Sequence, residues 1–362
     1  MHHLTKTGAQ MDELHQHVQR AKESLLFSGA KIDEHLSAFL SDQAEVCEKL
    51  GREWSGRFEH LFLVGSGGSF ASLQTAKYIL DRVLHSPSDV LMSYEVLWRK
   101  PWRLNEKALV FLASYSGETE DTVAALRFAK ERGARTVVIV AKTESTMAQE
   151  ADIVIPYDSG AIYEVPIAAL TLFAAGLAQA TAAEAEAEEL ARSLEALPAV
   201  LRRTLDLEEQ AAECKARELL RANHLYVLGS GPLGPLAYKV AMSVVMENVR
   251  IGATFSDACE WRHGPAEALE RLRGDFIVLL GTDESRELTL RTIDFCRAQG
   301  SDVLVYDTAG FGDVHPLLTP LVMNSHIQWL IVYSAILRGI TDLDERVFMG
   351  HNVLAPQGTL WP

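Results

Sequence analysis

One eight-residue pattern occurs twice in this chain, and it limits the possible folds more than any other feature. His60 to Gly67 reads HLFLVGSG, and 164 residues later His224 to Gly231 reads HLYVLGSG. Each copy is a short apolar, β-favouring run that ends in Gly-Ser-Gly and leads into a helical pattern, ASLQTAKYIL in the first and LAYKVAMSVVMEN in the second. The correspondence continues downstream: ALVFLAS matches FIVLLGT, and RFAKERGARTVVIVAKT matches IDFCRAQGSDVLVYDT, with Gly133 and Gly300 each closing a helix before the next strand. Apolar strands alternating with amphipathic helices describe a parallel sheet covered on both faces. The expected fold is therefore α/β, two tandem doubly wound, flavodoxin-like domains. The pattern divides the chain into a helical segment over 1–34 and domains over 35–195 and 196–362. The join falls in the Ala/Glu-rich stretch Ala182 to Glu218, which reads as a solvated connecting helix.

A chain of 362 residues can bury two cores. Its net charge of −15 argues against nucleic-acid binding, which needs a basic face. A small anion is still admissible, since a local cradle of backbone N–H groups outweighs a distant negative surface. Cys47, Cys214, Cys259 and Cys296 form no C-x-x-C pair, so no zinc cage or redox motif is expected, and no metal or cofactor. The N-terminal stretch MHHLTKTGAQMDELHQHVQ lacks the apolar core of a signal peptide. The longest apolar run, IAALTLFAAGLAQA, is too short to span a membrane and suits a buried helix. The expected address is cytoplasmic.

Ligands of doubly wound sheets bind beyond the carboxyl ends of the strands. There the first copy places GSGGSF (Gly65 to Phe70) and SYSGET (Ser114 to Thr119). Ser114, Ser116 and Thr119 supply hydroxyls around Tyr115, Gly117 lets the backbone approach, and a helix N-terminus follows. One hydroxyl alone would read as a helix cap. Three hydroxyls and a glycine beside a second Gly/Ser loop favour phosphate. In the second copy GTDES stands in place of SYSGET and adds two acids, so that phosphate site is expected to be lost. Gly229 to Gly234 formally matches the dinucleotide fingerprint, but Pro232 lies in the turn and the first copy has Phe70 where the third glycine belongs. That match is weak.

The stretch EWRHGP, Glu260 to Pro265, sets a carboxylate, a guanidinium and an imidazole ahead of a helix-like run. Pro265 suits a first helical turn and biases Gly264 towards an extended backbone, which would leave His263 projecting from a short loop. Taken alone, His263 reads as a loop histidine bonded to a carbonyl and Glu247, in MSVVMEN, as a surface residue at a helix end.

The G-S-G loop, S-x-S-G-E-T and H-G-P together resemble the sugar isomerase (SIS) domain family. Within it, the chain is similar to the isomerase half of glucosamine-6-phosphate synthase and more so to the fructoselysine-6-phosphate deglycases, through GPLGPLAYK, EWRHGP, LLGTDESR and DERVFMG. The resemblance implies that Gly67, Gly68 and Ser69, with Ser114, Ser116 and Thr119, hold a phosphate. It implies that His263 opens the sugar ring and that Glu247, sixteen residues earlier, moves a proton between C1 and C2. Desolvation against Val244, Val245 and Met246 and the helix dipole would raise the pKa of Glu247.

Two departures from the synthase matter. No N-terminal cysteine nucleophile is present, and the synthase's two sugar-site lysines correspond to Val244 and, approximately, His351. A substrate that brings its own amine needs no lysine to supply one, which favours a deglycase. The expected reaction cleaves a 6-phosphorylated fructosamine to glucose 6-phosphate and an amine. The alternatives are a phosphosugar isomerase, an amino-sugar-phosphate deaminase or a non-catalytic sensor. Glu164, Glu260 and His351 are candidate substrate contacts, as are Asp283 and Glu284, and the resemblance implies a homodimer whose subunits share the site.

Overall fold

The structure, a computed structural model, describes residues 8–24 and 31–348. Its first sheet is five parallel strands in the order β2-β1-β3-β4-β5: β1 (His60–Gly65), β2 (Ser88–Met92), β3 (Ala108–Ser114), β4 (Arg135–Val140) and β5 (Ile153–Pro156). The second is four parallel strands, β7-β6-β8-β9: β6 (His224–Gly229), β7 (Gly252–Asp257), β8 (Asp275–Leu280) and β9 (Asp302–Asp307). The repeated octapeptide forms corresponding strands, β1 and β6, at the centre of the two sheets.

The helices are α1 (Gly8–Ala21), α2 (Ile32–Trp54), α3 (Gly67–Val83), α4 (Ser93–Arg99), α5 (Glu120–Glu131), α6 (Thr146–Glu150), α7 (Glu164–Ala178), α8 (Glu184–Glu218), α9 (Gly234–Lys239), α10 (Arg286–Ala298) and α11 (Thr319–Leu337). A π-helical segment, Val240–Val249, continues α9.

Continuous apolar strands arise because both faces of each sheet are covered, and side chains alternate between two apolar layers. Leu61, Leu63, Leu109 and Phe111 point into one core that also takes Leu225, Val227, Ile277 and Leu279 from the other sheet. Phe62, Val64, Val110 and Leu112 fill the outer layer of the first sheet. Leu228, Phe276, Val278 and Leu280 fill that of the second. The inner core thus joins the two sheets.

That core corrects the expectation for the Ala/Glu-rich stretch. Helix α8 is not a solvated connector. Leu190, Leu194, Leu197, Leu201 and Leu205 are buried on one face of it, packed with α7 and α11. It runs unbroken past residue 195 in spite of Pro198. The run IAALTLFAAGLA belongs to α7, which is buried nearly all round, as expected. Among the described residues no helix is long and apolar enough to cross a membrane.

Candidate functional site

In the order β2-β1-β3-β4-β5 the connections diverge between β1 and β3, and the two loops expected to hold phosphate flank that point. After β1 the chain turns at Gly67, with φ +54°, and starts α3 with Gly68 and Ser69 in its first turn. Ser66 precedes it in an extended conformation and makes no side-chain cap to α3. Its hydroxyl instead donates to Asp121 (2.5 Å) and lies 3.1 Å from the Ser93 hydroxyl.

After β3 the hydroxyl loop folds on itself. Ser114 Oγ lies 2.9 Å from Thr119 Oγ1 and accepts from the Gly117 amide at 3.1 Å, while Ser116 Oγ accepts from the Glu118 amide at 3.2 Å. Gly117 has φ +66°, and a Cβ there would lie 2.1 Å from Ser145 Oγ, so only glycine fits. Glu118 fastens the loop to α6 by accepting from the Thr146 amide and hydroxyl at 2.6 and 2.8 Å. Tyr115 packs toward Tyr157, ring centroids 6.4 Å apart, and burial raises its phenol pKa.

The corresponding place in the second sheet is already filled. Gly231 repeats the turn of Gly67 with φ +57°. A Cβ on Gly231 would lie 2.6 Å from Asp283 Oδ1, and one on Gly281 would lie 2.2 Å from Asp283 Oδ2. The Asp283 carboxylate accepts from the Ser285 amide at 2.9 Å and takes up the space beside both glycines. An anion there would face a negative charge.

Gly68 brings the first glycine loop to the same cavity as Glu247. Both line a cavity of about 220 Å³, together with Lys239, Ser243, Asn324 and Arg346. A Cβ built on Gly68 would lie 3.7 Å from Lys239 Cε, and one on Gly67 would lie 3.9 Å from Ser243 Oγ. The α3 N-terminus from the first sheet and the π-helical segment from the second therefore face each other across the cavity. Glu247 is half-buried near the end of that segment, and its carboxylate is ion-paired with Arg346. To the expected apolar neighbours the fold adds this ion pair, which was not expected. π-Helical turns recur at functional sites. Here the turn ends on Arg250 with φ +58°, whose amide donates to the Val245 carbonyl five residues back.

The lysine three residues before Glu247 is absent, Val244 being a buried wall of the cavity. Sequence reasoning missed Lys239. Lys239, Ser243 and Glu247 stand four residues apart in an otherwise apolar helical run, a polar stripe that was visible in the sequence. Lys239 Nζ donates to Asn324 Oδ1 at 2.7 Å, and Asn324 Nδ2 donates to Glu164 Oε1 at 2.8 Å. Glu164 is only 1 % exposed and lies behind Asn324, outside the cavity lining. Burial raises its pKa, with the Asn324 bond and Lys239 opposing.

His263 is not in that lining. It ends a short 3₁₀ turn, Trp261–His263, with a side chain 55 % exposed, and accepts from Arg262 Nε at 3.0 Å. Trp261 anchors the turn by packing edge-on to Phe276 and Tyr226, at 5.3 and 5.5 Å between centroids, which leaves His263 projecting outward. Gly264 is not extended as expected. With φ +143° and ψ −55° it takes a conformation open to glycine, because the chain reverses there between two 3₁₀ turns. Pro265 does begin the second turn, Pro265–Glu270, which is 3₁₀ and not α. Glu260 points into solvent, 72 % exposed, and Glu284 lies 4.0 Å from Arg82. His351 lies outside the described residues. No group of three or more His, Cys, Asp or Glu among the described residues is arranged to hold a metal ion.

A doubly wound parallel sheet with a glycine loop and a hydroxyl loop at its switch point defines an α/β protein whose candidate ligand site lies at the carboxyl ends of the strands. Residues 57–187 match the SIS domain. A fructosamine deglycase from Bacillus subtilis is 32% identical over 305 residues, covering 82% of this chain and 90% of its own length. A fructoselysine 6-phosphate deglycase from Escherichia coli is 28% identical over 293 residues, covering 81% and 86%. A solved Bacillus subtilis structure, described provisionally as a phosphosugar isomerase, superposes with a TM-score of 0.77 at 30% identity and covers 88% of this chain and 98% of its own. The chain belongs to the SIS-domain family.

Proposed function

We propose that the protein is a deglycase that cleaves a 6-phosphorylated fructosamine to glucose 6-phosphate and an amine or amino acid. The observation that carries this reading is the cavity shared by Gly68 of the phosphate loops and Glu247, walled by Val244 where a synthase has lysine. Similarity to two deglycases along four fifths of the chain supports it. The two sheets are read as tandem SIS domains, 35–195 and 196–362. Only the first keeps its phosphate site, formed by Gly67, Gly68, Ser69, Ser114, Ser116 and Thr119.

In the proposed sequence the α3 N-terminus and the hydroxyl loop hold the phosphate, and a histidine opens the ring. Glu247 then takes a proton from C1 and returns it to C2, converting the ketosamine to an aldose imine, which water splits. His263 lies outside the Glu247 cavity of its own chain, so His263 of the partner subunit is proposed to complete each site in a homodimer. Met242, Met246 and Phe348, 39%, 40% and 61% exposed, line an apolar groove beside Glu247 that suits such a contact.

Glu247→Gln keeps the shape and removes the base. It is expected to lower turnover by ~10²–10⁴-fold, read as glucose 6-phosphate release, with binding largely kept. His263→Asn is expected to act at ring opening. Mixing the two inactive variants should restore roughly a quarter of wild-type activity through heterodimers that keep one intact site. Near-normal turnover by Glu247→Gln would exclude the mechanism, and no recovery on mixing would exclude the shared site.

A further inference from the structure

We propose that Lys239 is a further catalytic residue of this site, the cation that holds the substrate's O2 as negative charge develops there. The proposal rests on the deglycase reading above, since it takes the cavity to hold an opened phosphosugar. Removing the C1 proton turns the C1–H electron pair into a C1=C2 bond and drives the carbonyl electrons onto O2. An oxygen gaining charge in a half-dry cavity needs a preorganised cation. The described lining holds two, Arg346 and Lys239, and Arg346 is already paired with Glu247.

Lys239 is placed for that task. It is 7% exposed and stands on the same stripe as Ser243 and Glu247. An ammonium has three donors, and Asn324 takes one of them at 2.7 Å. Asn324 is held in turn by buried Glu164, and the ammonium lies 5.1 Å over the Tyr163 ring, whose hydroxyl bonds Thr75 at 2.8 Å. A lysine buried in this way costs stability, and a core needs no such chain of polar groups. The chain ends at the cavity beside the proposed base.

The protons balance. Lys239 lends one to O2 as Glu247 takes one from C1. Glu247 returns its proton to C2, and the one shed by nitrogen as C1=N forms replaces that of Lys239.

The charge of Lys239 is also titratable. Burial lowers its pKa to about 8, against the raising effects of Glu164 and Glu247. Tyr163 and the Glu247-bound Arg346 are the other ionisable groups around it. The cation is therefore present at neutral pH and lost as pH rises through that value.

The test compares two 6-phosphate-type ligands by calorimetry. One is 5-phosphoarabinonate, which bears a fixed negative charge near the O2 position, and the other is neutral-headed sorbitol 6-phosphate. Wild type is expected to prefer the arabinonate at pH 7 by about 10- to 100-fold, the range for a hydrogen bond to a charged group. The preference should fade by pH 9.5. Lys239→Met should lose the preference at pH 7 yet bind sorbitol 6-phosphate as wild type does. Lys239→Arg, which cannot shed its proton, should keep the preference at pH 9.5. A preference that persists in Lys239→Met overturns the assignment. So does one that fades in Lys239→Arg over the wild-type pH range, which decides the matter if the Met variant folds poorly. Failure of wild type to bind either ligand would overturn the phosphosugar reading itself.

Discussion

His326 shows how a single buried side chain ties this fold to pH. It lies on α11 at 7% exposure, with its ring 4.6 Å from Phe311 and Nε2 without a hydrogen-bond partner among the described residues. Glu208 is 3.7 Å from Nδ1, but Lys215 bonds that carboxylate at 2.6 Å and opposes a charge on the imidazole. Burial, with Lys215 adding to it, lowers the His326 pKa to about 4. Unfolding returns it to the ordinary value near 6.5. Between those two values the unfolded chain binds the extra proton, so stability falls as pH drops from about 6.5 to about 4, by up to roughly 3 kcal/mol. His326→Phe should flatten that part of the urea-unfolding profile. A slope unchanged by the substitution would show that other groups carry it.

At the scale of elements, the hydroxyl loop is held by its neighbours. Gly117 sits against Ser145, and Glu118 is tied to Thr146. Gly117→Ala should cost about 1–2 kcal/mol from the left-handed backbone alone, with more from the clash. Adding Ser145→Gly should recover only the clash, measured as phosphosugar affinity and Tm together. Full recovery by the double variant would show that the backbone conformation is not the constraint. The strands and both glycine loops were legible in the sequence because apolar runs closed by Gly-Ser-Gly have few other solutions. The buried face of α8 was not, since alanine and glutamate between Leu190, Leu194, Leu197, Leu201 and Leu205 masked a helical stripe. Lys239 was overlooked although its spacing from Glu247 was open to view. The pairing of Glu247 with Arg346, and of Glu164 with Asn324, could not be read at all: the partners stand far apart in the chain and meet only in the folded protein, the second pair across the two halves.

For the whole molecule, the inner core sets the behaviour. Leu61 and Leu109 of one sheet and Val227 and Leu279 of the other belong to the same buried cluster, with α7, α8 and α11 among the helices that build it. Denaturant should therefore unfold the described residues in one transition, seen alike by near-ultraviolet signals and by helix content, without a plateau. Fragments cut at residue 195 would each carry a piece of α8 and an exposed apolar face, and should not fold alone. Two separated transitions would contradict this. The same core has a kinetic meaning. Many two-lobed enzymes open and close by a hinge, but lobes that share one dry interior cannot swing apart without wetting it. A ligand of the cavity that Glu247 lines would then have to enter through local movement at the rim, around Arg346 and the segment that carries it, while the lobes stay fixed.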